Sequence, residues 1–320
     1  VLHAGGKFGD GGYKVSSGLH GVGSSVVNAL SNRLVAEVYR DGGHYMMEFE
    51  KGATKSSIKK IGTSKKTGTV ITFWPDTTIM ADAPFEYDWV QDYLRHQAYL
   101  TKGIKTTVID ERINKSYSFY FEGGIKSYVK HLNQGKDSFD DVFYVDKDIE
   151  DSNVEVALQY TDTYVETVKP FANNVFNPDG GTHLTGFRTA LTRVVNDYAR
   201  KNGLLKEKDE NLSGEDCREG ITAVILVKMP DPQFEGQTKN KLGNPEIRGY
   251  VESVFAEWFS YYLEENPSTA KKIIGKAVLA ARARKAARAA RENIIRKGVL
   301  DGASMPGKLA DCSNKNPKDS

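Results

Sequence analysis

The stretch GGKFGDGGYKVSSGLHGVGSSVVNAL, Gly5 to Leu30, constrains this chain more than any other. Eight of the nineteen residues from Gly5 to Gly23 are glycine, against 30 in all 320. A residue without Cβ admits positive φ and lets a ligand approach the backbone, at a cost to regular structure. So dense a run predicts a loop. Lys7 and Lys14 lie within it. The pattern then changes: Ser24 and Ser25 can cap a helix start, and Val26, Val27 and Leu30 give that helix an apolar face. A glycine loop running into a helix presents backbone N–H groups and the positive end of the helix dipole, which suits phosphate. A flexible surface connection would also tolerate these glycines. The loop's length, its two lysines and the tight turn Gly18-Leu19-His20-Gly21-Val22-Gly23 favour the phosphate site. It is neither a Walker A loop, since no Gly-Lys-Ser/Thr follows, nor a Rossmann turn, since no strand-like run precedes it.

Downstream, LVAEVYR, HYMMEFEKG and TGTVITFWP between residues 34 and 75 read as strands separated by turn residues at Asp41-Gly42-Gly43, Gly52 and Gly62. They predict an antiparallel sheet against the helix at 24–31. Asp88 to Leu100 reads as a helix, with Asp88 a possible cap and Trp89, Tyr93, Leu94 and Ala98 towards the core. The segment after it, TTVIDERINKSYSFYFEGG, returns to strand and turn. A helix at Ile125–Leu132, strands at 154–160 and around 173–176, a helix across 180–203, a charged loop at 206–219 and a central strand ITAVILV follow. This alternation is α/β in type. His183, after Gly180-Gly181-Thr182, reads as a structural histidine at a helix start.

Two further stretches carry chemistry. QTKNKL, from Gln237, is a polar loop with two lysines after a strand. From Lys271 to Lys297 ten lysines and arginines face one acid, Glu292, in a helix that begins at Pro267, although the whole chain carries a net charge of only +2. Such a local excess is a field suited to duplex DNA. Arg284, Arg288 and Arg291 fall at i, i+4 and i+7 and share one face. No element suited to reading bases is apparent, so contacts to phosphate, insensitive to sequence, are expected. Cys217 and Cys312 lie far apart, with neither metal-ligand nor disulfide-framework spacing, which points to a reducing cytoplasm. No apolar run reaches the roughly 20 residues of a membrane span.

These residues carry a family resemblance. HAGGKFGDGGYKVSSGLHGVGSSVVNALS, His3 to Ser31, resembles the ATP lid and third nucleotide motif of bacterial type II topoisomerase B subunits, the gyrase group most of all. Those proteins share an ATPase superfamily with the heat-shock chaperone clamp, histidine kinases and the mismatch-repair clamp. One departure is Ser17, where the family has a further glycine before Gly18. The resemblance implies an α+β chain. Residues 1–122 would be the C-terminal part of the ATPase α/β sandwich, 123–298 an α/β transducer domain, and 299–320 the link towards a cleavage-and-religation domain, with MPGKLADC at 305–312. It implies ATP contacts from Lys14, Gly18, Leu19, His20, Gly21, Val22 and Gly23, a pocket arginine at Arg40, and an adenine-side threonine at Thr69. It also implies that Gln237 and Lys239 touch the γ-phosphate, Lys239 as the catalytic lysine, and that the basic helix lines a cavity for DNA. GGTH is then a transducer signature. ATP and Mg²⁺ are the implied cofactors. The family's general-base glutamate, Mg²⁺ asparagine and adenine aspartate are expected upstream of Val1, so the chain alone is expected not to hydrolyse ATP. The implied partners are duplex DNA, the gyrase A subunit in a heterotetramer, and a second gyrase B molecule; no membrane is implied. A topoisomerase IV homologue of the same kind, a chaperone-like clamp without DNA chemistry, and a non-enzymatic nucleotide-sensing module, against which the Gln-Thr-Lys loop argues, are the alternatives.

Overall fold

A computed structural model describes residues 21–80 and 84–302, with side-chain environments to Ile294. Expectations placed on residues 1–20 or on the 305–312 link lie outside the described residues. Helix α1 spans Gly23–Ala29. The strands β1 (Ser31–Arg40), β2 (Gly43–Glu50), β3 (Ala53–Thr54), β4 (Lys59–Thr63) and β5 (Gly68–Pro75) then build one antiparallel sheet. Its order is β3-β2-β1-β5, with β4 also on β2. The β1–β2 hairpin closes through Asp41 and Gly42, at φ 52° and 74°. Both lie in the left-handed region that a two-residue turn of this hand needs. In this register Leu34 faces Phe49 and Phe73, and Val38 faces Tyr45 and Thr69. α1 meets that apolar face, leaving a cavity of ≈510 Å³ lined by Val27, Asn28, Leu34, Phe49, Ile71 and Phe73 among others. Val22, not Ser24 or Ser25, holds the N-cap position, and no side chain of the described residues caps the helix. The two serines fall inside the first turn because the helix begins at Gly23.

The second sheet is larger and better covered. Helix α2 (Tyr87–Leu100), the hairpin β6 (Thr106–Asp110) and β7 (Lys115–Phe119), and helix α3 (Gly124–Leu132) lead into it. Its strands are β8 (Phe143–Ile149), β9 (Ser152–Tyr160), β10 (Thr167–Ala172), β11 (Val175–Phe176) and β12 (Ile221–Lys228), in the order β11-β10-β12-β9-β8. β10 and β12 are parallel and joined through helix α4 (Thr182–Lys201); the other pairs are antiparallel. On one face α4, α6 (Pro245–Glu265) and the first half of α7 (Pro267–Gly302) build a core with Phe187, Leu191, Ile225, Phe255 and Phe259 fully buried. On the other, Tyr99 and Leu100 of α2 join Ile125 and Val129 of α3 against Phe171, Val224 and Leu226. β12, apolar on both sides, therefore runs through the centre of three layers.

Three further expectations need correction, and two strands were missed. Trp89 and Tyr93 do not face a core; they are exposed and stack on each other at 5.9 Å, because α2 is buried only through Tyr87 and through Ala98 to Leu100. Asn173 and Asn174, expected in a strand, form the positive-φ turn between β10 and β11. The segment 206–219 contains a short helix, α5 (Gly214–Arg218). It starts from a capping box in which Ser213 Oγ accepts from Asp216 N, and the Asp216 carboxylate accepts from Ser213 N. Finally, β8 and β10 were not anticipated. β10 contains Pro170 beside the two-residue β11, a near-edge setting in which proline is tolerated.

Candidate functional site

The nucleotide-side residues fall into two sets. Lys14, Gly18, Leu19 and His20 lie outside the described residues. Gly21 has φ 59°, the left-handed conformation that the glycine pattern predicted, and Val22 leads directly into α1 at Gly23. A Cβ on Gly23 would meet nothing within 4 Å, so among the described glycines of this turn Gly21 is the conformationally demanding one. Among the described residues no side chain caps the N-terminus of α1, whose first-turn N–H groups have no intrahelical acceptor. Thr69 and Arg40 are brought to one face and one end of the first sheet: Thr69 pairs with Val38, two residues before Arg40 on β1. Arg40 is exposed, 3.3 Å from Asp41.

Gln237 and Lys239 share a hairpin loop between β12 and α6. The loop is closed by Glu235 N–H donating to the Lys241 carbonyl (3.0 Å) and by Gly243 N–H donating to the Gln233 carbonyl (2.8 Å). Lys241 also pairs with Glu235 across it, at 2.9 Å. The root of the loop is fixed by the Gly-Gly-Thr-His segment. Leu242 N–H donates to the Gly180 carbonyl, and Thr182 N–H donates to the Leu242 carbonyl, both at 3.1 Å. Gly181, φ 137°, lies so close that a Cβ there would sit 2.3 Å from the Leu242 oxygen. Its conformation and its lack of a side chain are thus both required. Lys239 itself is half-buried at φ 57°, an unfavourable conformation for a lysine. It is held there by fully buried Asn177, whose Nδ2 donates to the Lys239 carbonyl at 2.7 Å.

His183, one residue into α4, is fully buried, and neither ring nitrogen has a hydrogen-bond partner among the described residues. Burial pushes its pKa down to about 3, so the ring is neutral. Without exposure it cannot reach a ligand, in keeping with a structural histidine.

The basic helix is less uniform than its sequence. α7 is anchored by Ala270, Ile273, Ile274, Ala277 and Ala280, and every side chain from Arg282 to Ile294 is exposed or nearly so. Arg284 forms a bidentate pair with buried Asp216, at 3.0 and 2.9 Å. Burial alone would raise the Asp216 pKa; Arg284 and the Ser213 hydroxyl and N–H outweigh it and hold the carboxyl below its usual range. Lys285 pairs with Glu210 at 2.9 Å and Arg288 with Glu292 at 3.1 Å. Acids of the 206–219 segment therefore offset part of the field, and no ion pair to Arg291 forms among the described residues.

The family model described as DNA gyrase B matches residues 124–293, the second sheet and its helices. The DNA gyrase B protein of Clostridium acetobutylicum is 54% identical over 322 residues, covering all of this chain and 50% of the relative. That of Bacillus mycoides is 52% identical, covering 98% of this chain and 79% of the relative. The chain belongs to the DNA gyrase B family. Its fold agrees: the crystal structure of the 43K ATPase domain of Thermus thermophilus gyrase B, in complex with an aminocoumarin, matches with a TM-score of 0.74 and 41% identity, over 85% of this chain and 74% of that one. The chain spans about half the length of most of the curated gyrase B relatives it matches. Within this gyrase B chain, sequence reasoning missed Asn177 and Asp216. Asn177 reads only as a turn residue before Pro178. The Ser213-x-x-Asp216 spacing was the available signal for Asp216.

Proposed function

We propose that this chain is the segment of a gyrase B protein that couples a nucleotide site to a DNA-guiding helix. The intact protein would hydrolyse ATP to drive its own dimerisation and the passage of duplex DNA, the strands being broken by gyrase A. The observation that carries this reading is the anchored transducer loop, which fixes the main chain of Lys239 in one conformation next to Gln237. A main chain so fixed limits where the Lys239 ammonium can reach, and a positioned ammonium is what a phosphoryl-transfer site uses to neutralise charge on the equatorial oxygens. Bound ATP supplies the phosphoryl group that passes to water. Gly21, Val22 and Gly23 would offer backbone N–H groups to its phosphates, as the uncapped start of α1 allows. Thr69 would lie on the adenine side, with Arg40 at the same sheet end. Among the described residues no group of three or more His, Cys, Asp or Glu could hold a metal; a Mg²⁺ ion arriving with ATP would need no such group, since the phosphates, water and one or two protein oxygens hold it. Arg288 and Arg291 would meet DNA phosphates, while Arg284 chiefly secures α7 to α5.

The test is steady-state ATPase and nucleotide binding of the intact protein carrying Lys239→Gln or Lys241→Gln. The first should keep nucleotide binding and lose about 10²–10³ in turnover, the usual cost of one such donor. The second should stay near wild type, because Lys241 is engaged by Glu235. Near-normal turnover in the Lys239 variant, or an inactive Lys241 variant, would overturn the assignment.

A further inference from the structure

The first sheet carries a charge imbalance that its own ion pairs do not resolve. From Ser31 to Met80 there are five carboxylates, and each has one basic partner within 3.3 Å. Glu37 takes His44, Asp41 takes Arg40, Glu48 takes Arg33, Glu50 takes Lys55 and Asp76 takes Lys51. Lys59, Lys60, Lys65 and Lys66 are left over, all exposed and none in an ion pair among the described residues. They are not scattered. Lys59 and Lys60 open edge strand β4, opposite Met46 and Tyr45 of β2. Lys65 and Lys66 sit in the turn that follows, which is tied to the β1–β2 turn by Ser64 N–H donating to the Gly42 carbonyl at 3.2 Å. The run from Lys51 to Pro75 contains no acid at all, and the exposed hydroxyls of Thr63 and Thr67 flank the second lysine pair.

We propose that this edge, β4 and the turn after it, is a second contact surface for the phosphates of duplex DNA, distinct from α7. Edge-strand lysines also serve to block strand-to-strand association. That role could account for Lys59 and Lys60. It does not account for Lys65 and Lys66, which lie beyond the strand where there is no ladder to protect. Four unpaired ammonium groups with neighbouring hydroxyl donors and no carboxylate match a polyphosphate backbone, whereas a protein partner of mixed charge would ask for acids as well. The proposal rests on the reading that the protein handles DNA, and it adds a site on the sheet that carries Thr69 and Arg40.

The experiment follows binding of the chain to duplexes of two unrelated sequences by fluorescence anisotropy, from about 50 to 200 mM salt, the range over which phosphate contacts weaken measurably. Four proteins are compared: wild type, the quadruple Lys59→Gln, Lys60→Gln, Lys65→Gln, Lys66→Gln variant, the same four positions changed to Arg, and the α7 double variant Arg288→Gln, Arg291→Gln. Each phosphate contact contributes about 0.9 to the log–log salt slope, so removing four charges should flatten it by about 2 to 3.6, equally for both sequences. The arginine version should keep the wild-type slope. An unchanged slope in the glutamine variant, or new aggregation with an unchanged slope, would overturn the inference and leave the lysines as edge guards. A slope that responds only to the α7 variant would sink this surface while sparing the DNA reading; a wild-type chain with no salt-dependent duplex binding would sink both.

Discussion

β5 and β12 are both eight-residue strands rich in β-branched and apolar side chains, GTVITFWP and ITAVILVK. Their surroundings differ. Seven residues of β12 are buried, whereas seven of β5 are exposed, with Val70, Ile71, Phe73 and Trp74 between 40% and 53% accessible. Among the described residues the first sheet has only the seven-residue α1 against its apolar face, and none of that helix is buried. The second has α4, α6 and α7 on one side and α2 and α3 on the other. Hydrophobicity in a strand thus states a demand for cover, and the cover itself comes from other elements. The same contrast separates the polar groups: most acids of the first sheet form exposed or half-exposed pairs, while Asp216, Glu155 and His183 are enclosed in the second region.

The widest gap should appear on truncating comparable apolar side chains. Phe187→Ala, at a fully buried position beside Phe255, should cost about 3–5 kcal/mol. Ile71→Ala, at 53% exposure, should cost less than about 1 kcal/mol. Urea midpoints at constant m-value measure both. Equal losses would mean that the first sheet is as closely covered as the second.

How much of this was legible depended on where the demand for cover was met. β12 was plain because the apolar run Ala223–Val227, lying between Gly220 and Met229-Pro230, has one simple reading, a strand buried on both faces. α4 was plain because Phe187, Leu191 and Val194 recur at helical spacing. β8, with Asp146, Lys147 and Asp148 in its second half, and β10, with Pro170 inside it, obey no such pattern; the neighbours they pair with define them. Trp89 and Tyr93 obeyed the pattern and still misled, since α2 packs through Tyr87, Ala98 to Leu100 and a half-buried side that includes Leu94 and Arg95, and leaves the face of Trp89 and Tyr93 open. At the candidate site the residue types of the Gln-Thr-Lys loop were visible, but their meaning came from family resemblance. That Gly181 must lack a side chain because Leu242 crosses it was invisible without the fold.

The next contrast concerns ion pairs. Arg284→Gln leaves the Asp216 carboxylate buried without its bidentate partner. Removing one partner of a buried pair costs about 3–5 kcal/mol. Arg284 is 43% exposed and Asp216 keeps its bonds to Ser213, so the loss should fall below that range yet exceed the loss at a surface pair. Arg33→Gln breaks the pair with Glu48, where the side chains are 54% and 32% exposed, and should change stability by no more than about 0.5–1 kcal/mol. If Arg284→Gln were equally mild, Arg284 would be available to DNA after all, and the salt slope of duplex binding should then fall with that single substitution.

The last contrast is carried by pH. His183 has a folded pKa of about 3, against about 6.5 for an unperturbed histidine in an unfolded chain. Above about pH 6.5 the ring is neutral in both states and stability is at its full value. Below it the unfolded chain takes up a proton that the folded chain refuses, so stability falls as pH drops, and it goes on falling until the folded ring also titrates near 3. Between about pH 7.5 and 5 the loss should reach about 2 kcal/mol, before most carboxylates begin to protonate. Burial of His96 works in the same direction, so the isolating measurement is a difference. His183→Leu replaces a ring with no hydrogen-bond partner among the described residues by an apolar group. It should be neutral or slightly stabilising at about pH 7.5 and should flatten the profile down to about pH 5 by those roughly 2 kcal/mol. A profile as steep in the variant as in wild type would mean that the ring is protonated in the fold, which would require a partner for it beneath the Gly-Gly-Thr segment and would reopen a role for it behind the transducer loop.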